Sequence, residues 1–142
     1  MAEEPKQPKS IGLIVASHGE LARTLVEVCE FVLGRETALR FTLFRDGDDP
    51  RRFSQQLKTL VRKVNQGRGV IIMVDLFGGT PGSAALALAE EERVEIVTGV
   101  NLPMAVAAAS LPPDLPLKEA SSHIVTAGTE AIKSAGDILT GG

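Results

Sequence analysis

Two stretches constrain most strongly what this chain can fold into. "IGLIVAS", residues 11–17, and "GVIIMV", residues 69–74, are apolar almost without a break. Runs of that length suit strands buried on both faces, and such strands belong to parallel sheets covered by helices. Between them the period changes. Leu21, Leu25, Val28 and Val32 recur at helical spacing, and Gly34 follows as a C-cap would. "LRFTLF" alternates, with Leu39, Phe41 and Leu43 set against Arg40 and Thr42, which suits a half-wet edge strand. "RDGDDP" is a loop with helix-start signals, and Phe53, Leu57, Leu60, Val61 and Val64 mark a second helix stopped by Gly67. The second apolar run closes at Asp75. The turn "LFGGTPGS", an Ala-rich helix and a short strand, "VEIVTG", come next. A further helix has Asn101 as its N-cap and Pro103 in its first turn. Beyond "LPPDLP", helical spacing returns at Ile124, Ala127, Ala131 and Ala135, while "HIVT" reads equally well as a strand.

Strand and helix alternate four times, which predicts an α/β fold: a doubly wound, mainly parallel sheet with helices on both faces. The two wholly apolar strands, first and third, belong in the middle and the alternating second at an edge. Right-handed crossovers then give the strand order 2-1-3-4. The winding reverses between the first and third strands. Ligands of open α/β sheets bind at such a switch point, beyond the C-terminal strand ends. His18 ends the first strand and Asp75 the third, so the topology is predicted to bring them together.

Composition narrows the function. The 142 residues fit a single domain, residues 11–142, behind a polar tail, residues 1–10, expected to be flexible. A net charge of −3 argues against generic nucleic-acid binding, and the lack of Trp and Tyr removes a base-stacking platform. The single Cys29 excludes an internal disulfide and a cysteine-based zinc site, and a cytoplasmic home fits. The tail is not a signal peptide, and no apolar run approaches the ~18 residues of a membrane helix, so direct membrane insertion is not expected. Neither a cofactor nor a metal is expected.

A lone histidine in a loop is more often structural than chemical. At the switch point His18 has a sharper use. Asp75 can take a hydrogen bond from one ring nitrogen, fix the tautomer and present the other nitrogen's lone pair, as a histidine nucleophile or base requires. Gly78 and Gly79 allow close backbone approach. Thr80, before Pro81, reads as an ordinary N-cap, and its hydroxyl with the free amides of a helix start can also hold an anion. The loop is not a Walker A motif, a dinucleotide fingerprint or a hydrolase nucleophile elbow. A ring oriented by a carboxylate beside phosphate-friendly amides points to a transient phosphohistidine. Nothing marks a nucleotide pocket, so the phosphate is expected from another protein. The remaining candidates read blandly: His123 as structural or exposed, Cys29 and Met104 as core, and "EEER" (90–93) as a solvated helix end.

"GLIVASHGELA", "VDLFGGTPGSAA" and "VTGVNLPM" together resemble the enzyme IIA component of the mannose family of the bacterial phosphotransferase system. The likeness runs from Ile11 to about Ile132. It implies that His18 is the phosphoacceptor, charged by the phosphocarrier HPr, and that the phosphate passes to a IIB component that phosphorylates a sugar during uptake. Asp75 and Thr80 match the family's carboxylate and hydroxyl partners of that histidine, and Gly78, Gly79 and Thr80 would cradle the phosphate. The resemblance also implies a homodimer that exchanges an antiparallel C-terminal strand. Few charges between Val94 and Leu111 agree with a dimer. One departure is plain: Gly82 and Ser83 stand where the family commonly has a larger residue and an Asn, which bears on partner docking. Two alternatives use the same residues. One is a regulatory module that binds a partner according to the state of His18. The other is a small anion- or nucleotide-binding domain built on the Gly-rich turn.

Overall fold

The computed structural model describes residues 9–141. Most of the expected flexible tail, residues 1–8, lies outside the described residues, as does Gly142. Four strands form one parallel sheet in the order β2-β1-β3-β4: β1 (Gly12–His18), β2 (Arg40–Phe44), β3 (Val70–Val74) and β4 (Val94–Thr98). This is the order expected from the patterns. Every residue of β3 is buried, as are the first six of β1, because each strand has neighbours on both sides and helices on both faces.

Alternate side chains divide the core in two. Leu13, Val15, Ile71, Met73 and Val97 point to one face, under α1 (Leu21–Leu33), α4 (Leu102–Ala109) and α5 (Leu117–Glu130). Ile14, Ala16, Val70, Ile72 and Val74 point to the other, under α2 (Pro50–Val64) and α3 (Gly79–Glu91). The α2 start is fixed by Asp49, whose side chain accepts from the Arg51 amide, and the α4 start by Asn101, which accepts from the Met104 amide. Met104 and Cys29 are core residues, as expected. Of the acidic run, Glu91 and Glu92 pair with Lys58 and Arg62 across the α2–α3 contact.

Three local features differ from the sequence pattern or complete it. The residues that carry the α1 period are not the ones that are buried: Ala22, Val26 and Cys29 face the sheet, while Leu21, Val28 and Val32 are 45%, 37% and 57% exposed. Two adjacent stripes share the same spacing, and the one with the smaller residues sits against the strands. The segment "HIVT" is helix, within α5, and His123 on it is exposed. The helical run does not continue through Ala131 and Ala135. It ends after Glu130, and a separate short helix, α6 (Ala135–Thr140), follows, with no buried residue. The exchanged C-terminal strand that the resemblance implies has no assigned residues; α6 has Asp137 in its first turn and Gly141 closing it in the left-handed region. Among the described residues no helix is long and apolar enough to cross a membrane.

Candidate functional site at the ends of β1 and β3

Parallel pairing of β1 with β3 ends with Ala16 opposite Val74, so the next residues of both strands emerge side by side at the switch point. There His18 and Asp75 meet. The His18 Nδ1 lies 2.9 Å from Asp75 Oδ2, and the His18 backbone amide donates to the same oxygen at 3.0 Å. The other oxygen, Oδ1, accepts from the Leu76 amide at 3.0 Å. One carboxylate thus holds the ring, the end of β1 and the start of the following loop. Its side chain is only 11% exposed, whereas that of His18 is 41% exposed. Charge-assisted hydrogen bonds in a partly dry setting hold geometry firmly. A nitrogen facing an ionised carboxylate at this distance is the one that carries hydrogen. With Asp75 as the acceptor, the contact favours the tautomer that has hydrogen on Nδ1 and the lone pair on Nε2.

The loop 75–78 brings the start of α3 beneath that free nitrogen. A Cβ placed on Gly79 would lie 2.7 Å from both Nε2 and Cε1 of His18, and Gly79 has φ of +86°, so only glycine fits on both counts. The helix start differs from expectation. Thr80 is not its N-cap: Gly78 holds that position, and Thr80 is the second residue of the helix, half-buried and with no capping hydrogen bond. The reason lies in the local chain, since a Gly-Gly pair lets the helix begin one residue before the threonine. Pro81 has no amide, so the donors offered by this first turn are the Gly79 and Thr80 amides together with the Thr80 hydroxyl. His18, Asp75, Gly78, Gly79 and Thr80 are thus gathered at one edge, while His123 lies on the exposed side of α5.

Three further residues shape the site. The Phe44 ring meets the His18 ring edge to face at 6.3 Å, and Phe44 is the register partner of His18 on β2. That pairing was available from the strand order, because both residues end neighbouring strands. Ser17 is fully buried, and its hydroxyl accepts from the Ala22 amide at 2.7 Å, so the strand itself caps the incoming helix while Glu20 caps nothing. Glu20 instead bridges Arg23 and Arg45, at 2.9 and 2.8 Å. Among the described residues no group of three or more His, Cys, Asp or Glu side chains is arranged to hold a metal ion.

Residues 12–134 match the family described as the fructose IIA component of the phosphotransferase system. The fructose-specific EIIA component of Bacillus subtilis (strain 168) is 30% identical over 115 residues, 80% of this chain and 79% of that one. The mannose-specific EIIAB component of Escherichia coli (strain K12) is 28% identical over 127 residues, 88% of this chain but only 39% of that longer protein. The mannose/sorbose-specific IIA subunit of Enterococcus faecalis superposes with a TM-score of 0.80 at 22% identity, over 88% of this chain and 94% of that one, a likeness of fold. With the family match spanning nearly the whole sequence, the chain belongs to the mannose family of phosphotransferase-system enzyme IIA components.

Proposed function

We propose that the protein carries a phosphoryl group on Nε2 of His18, receives it from phospho-HPr and passes it to a IIB component that serves sugar uptake. The observation that carries this reading is the 2.9 Å contact between Nδ1 and Asp75, which favours hydrogen on Nδ1 and the lone pair on Nε2, beside the Gly79 backbone. In the transfer Nε2 attacks phosphorus while the bond from phosphorus to the donor's imidazole nitrogen breaks, and the departing imidazole keeps the bonding pair. No proton need cross. The receiving ring becomes a phosphoimidazolium, and its Nδ1–H stays on Asp75, whose negative charge stabilises the ring as it turns positive. The Gly79 and Thr80 amides and the Thr80 hydroxyl are the donors for the phosphoryl oxygens. Little else is asked of the protein, since phosphoryl transfer depends on position and charge stabilisation.

The openness of the site supports a protein donor. His18 is 41% exposed, so a protein donor can reach the ring from solvent. Family membership supports HPr and a IIB component as partners and a cytoplasmic site of action. We also propose a homodimer. Phe31 and Val32 on α1 and Ile138 and Leu139 on α6 are apolar and exposed by 57% or more, which a second copy would cover.

Incubation with phosphoenolpyruvate, enzyme I and HPr, followed by intact-mass measurement, tests the carrier reading. One phosphoryl group is expected, lost in acid and kept in base, as a phosphorus–nitrogen bond requires. No added mass, or a base-labile adduct, contradicts it. Sedimentation at micromolar concentration tests the dimer, which a clean monomer would exclude.

A further inference from the structure

Where β1 ends, two neighbouring side chains leave on opposite faces of the sheet. His18 continues the row of Ile14 and Ala16, toward α2 and α3, and Ser17 continues the row of Leu13 and Val15, beneath α1. Among the described residues Ser17 and Ser121 are the buried polar ones, and Ser17 is fully covered. A covered hydroxyl has to find its partners inside the chain. The Ser17 Oγ accepts from the Ala22 amide at 2.7 Å and donates to the Gly19 carbonyl at a longer 3.5 Å. Both bonds close over one turn, which carries His18, Gly19 and Glu20 from the strand into α1. The same turn is pinned from both flanking strands. The His18 amide donates to Asp75 Oδ2 at 3.0 Å, and the Gly19 amide donates to the Phe44 carbonyl at 2.8 Å.

Resting on the carrier reading above, we infer that Ser17 is a positioning residue for phosphoryl transfer: its buried hydroxyl fixes the turn on which His18 is mounted, and so keeps Nδ1 on Asp75 and Nε2 against the Gly79 backbone. The His18 backbone is held from three directions, by β3 through Asp75, by β2 through the Phe44 carbonyl and by α1 through Ser17. The third hold is the one that a single hydroxyl supplies. Without it the amide of Ala22, a fully buried residue, loses its acceptor, and the first turn of α1 has to shift to find another. The turn that carries His18 then shifts with it. The site has little room for that movement. The ring sits 2.9 Å from the carboxylate on one side, and on the other a Cβ on Gly79 would lie 2.7 Å from Nε2. Ser17 is covered and offers an arriving donor no surface, so its loss should change how fast the bound complex reacts and leave how tightly the donor binds unaltered.

Single-turnover transfer from phospho-HPr to the full chain, followed over a range of donor concentrations, separates rate from binding. In Ser17→Ala the maximal rate is expected to fall about tenfold, a part of the roughly hundredfold that a misplacement of about 1 Å can cost, with the half-saturating donor concentration unchanged. Ser17→Thr keeps the hydroxyl and is expected to stay close to the unaltered chain. Arg68→Ala, at the opposite end of the sheet, controls for a general loss of stability, and circular dichroism confirms folding. Should Ser17→Ala not fold, Ser17→Cys takes its place: a thiol is a weak acceptor of similar size, and the same fall is expected. An unchanged maximal rate in the folded variant overturns the positioning role. A raised half-saturating concentration at an unchanged maximal rate overturns it too, since Ser17 would then act on donor binding. So does equal slowing in Ser17→Thr, which would exclude the hydroxyl, or in Arg68→Ala, which would mean that any loss of stability slows transfer. If the unaltered chain takes no phosphate on His18, the carrier reading fails and the role of Ser17 falls with it. If the unaltered chain and Ser17→Ala take phosphate at the same rate, the carrier reading stands and only the role of Ser17 is lost.

Discussion

The two ends of the sheet are built on opposite principles. Where β1 and β3 finish, an exposed imidazole leans on one half-dry carboxylate, over a helix start made of glycines and a threonine. Where the same strands begin, two arginines close the fold. The Arg68 guanidinium donates to the backbone carbonyls of Lys9, Pro113 and Leu115, at 3.2, 2.7 and 2.6 Å, and Arg35 donates to that of Ala109 at 3.0 Å. Beside Arg68 lies a small, mostly apolar cavity of about 150 Å³, lined by Ile11, Leu13, Ala108 and Leu111 among others. At the starting end every donor named is satisfied within the chain. At the finishing end the Gly79 and Thr80 amides and Nε2 are left for something else. The difference separates residues that hold the sheet from residues available for chemistry, although both sets are polar and both sit in loops.

Substitutions at the two ends should therefore have different consequences. Among substitutions that keep the phosphoacceptor ring, the largest effect on transfer is expected from Asp75→Asn. The amide can offer NH₂ where the ring needs an acceptor, and the charge that stabilises the phosphoimidazolium is gone. Loss of a hydrogen bond to a charged group costs ~1.5–3 kcal/mol, so single-turnover transfer from phospho-HPr should slow by roughly ten- to 150-fold, with the fold intact by circular dichroism. A rate equal to that of the unaltered chain would make Asp75 a turn residue only. Arg68→Ala should give the mirror image: a loss of about 2 kcal/mol of stability, seen as a Tm lower by roughly 4–8 °C, with the transfer rate of the folded protein unaltered. If its transfer rate fell as well, the two ends would be coupled and the contrast would be wrong.

Thr80→Ala sharpens the contrast inside the active end. Because the helix is capped at Gly78 and the Thr80 hydroxyl caps nothing, the variant should melt with the unaltered chain. It should transfer about tenfold more slowly, the lower end of what a lost hydrogen bond to a charged group costs. A lowered Tm with normal transfer would reverse that assignment. The smallest effect is expected at Cys29. Burial pushes its thiol up, with the Glu30 carboxylate adding to the shift and Arg35 opposing it. The thiol therefore stays protonated at neutral pH, and native protein should resist a thiol reagent that modifies the unfolded chain at once. Rapid native labelling would show that α1 opens easily.

Much of the fold was legible because the two central strands are apolar throughout. Only one placement buries both faces of Ile11–Ser17 and Val70–Val74, and the strand order followed from it. The meeting of His18 with Asp75 followed from that order. What was not legible depended on choices between equivalent patterns. On α1 two stripes, Leu21-Leu25-Val28-Val32 and Ala22-Val26-Cys29-Leu33, have the same spacing, and only packing against the sheet selects the second. At α3 the sequence could not tell whether Gly78 or Thr80 begins the helix, because a Gly-Gly pair adopts either arrangement. The closeness of Gly82 to the carbonyls of residues 76 and 77 is a three-dimensional fact with no periodic trace. The departure from the family pattern at that position was visible, but its effect on the loop was not.

The central claim is that Asp75 holds Nδ1–H and so directs phosphate to Nε2 of His18. The most direct measurement is ¹⁵N NMR of the histidine side chains after phosphorylation by phospho-HPr, on the unaltered chain and on His18→Ala and His123→Ala. The account predicts phosphate on Nε2 of His18, hydrogen retained on Nδ1, the same signals in His123→Ala and none in His18→Ala. Phosphate on Nδ1, phosphate on His123, or continued acceptance by His18→Ala would contradict it.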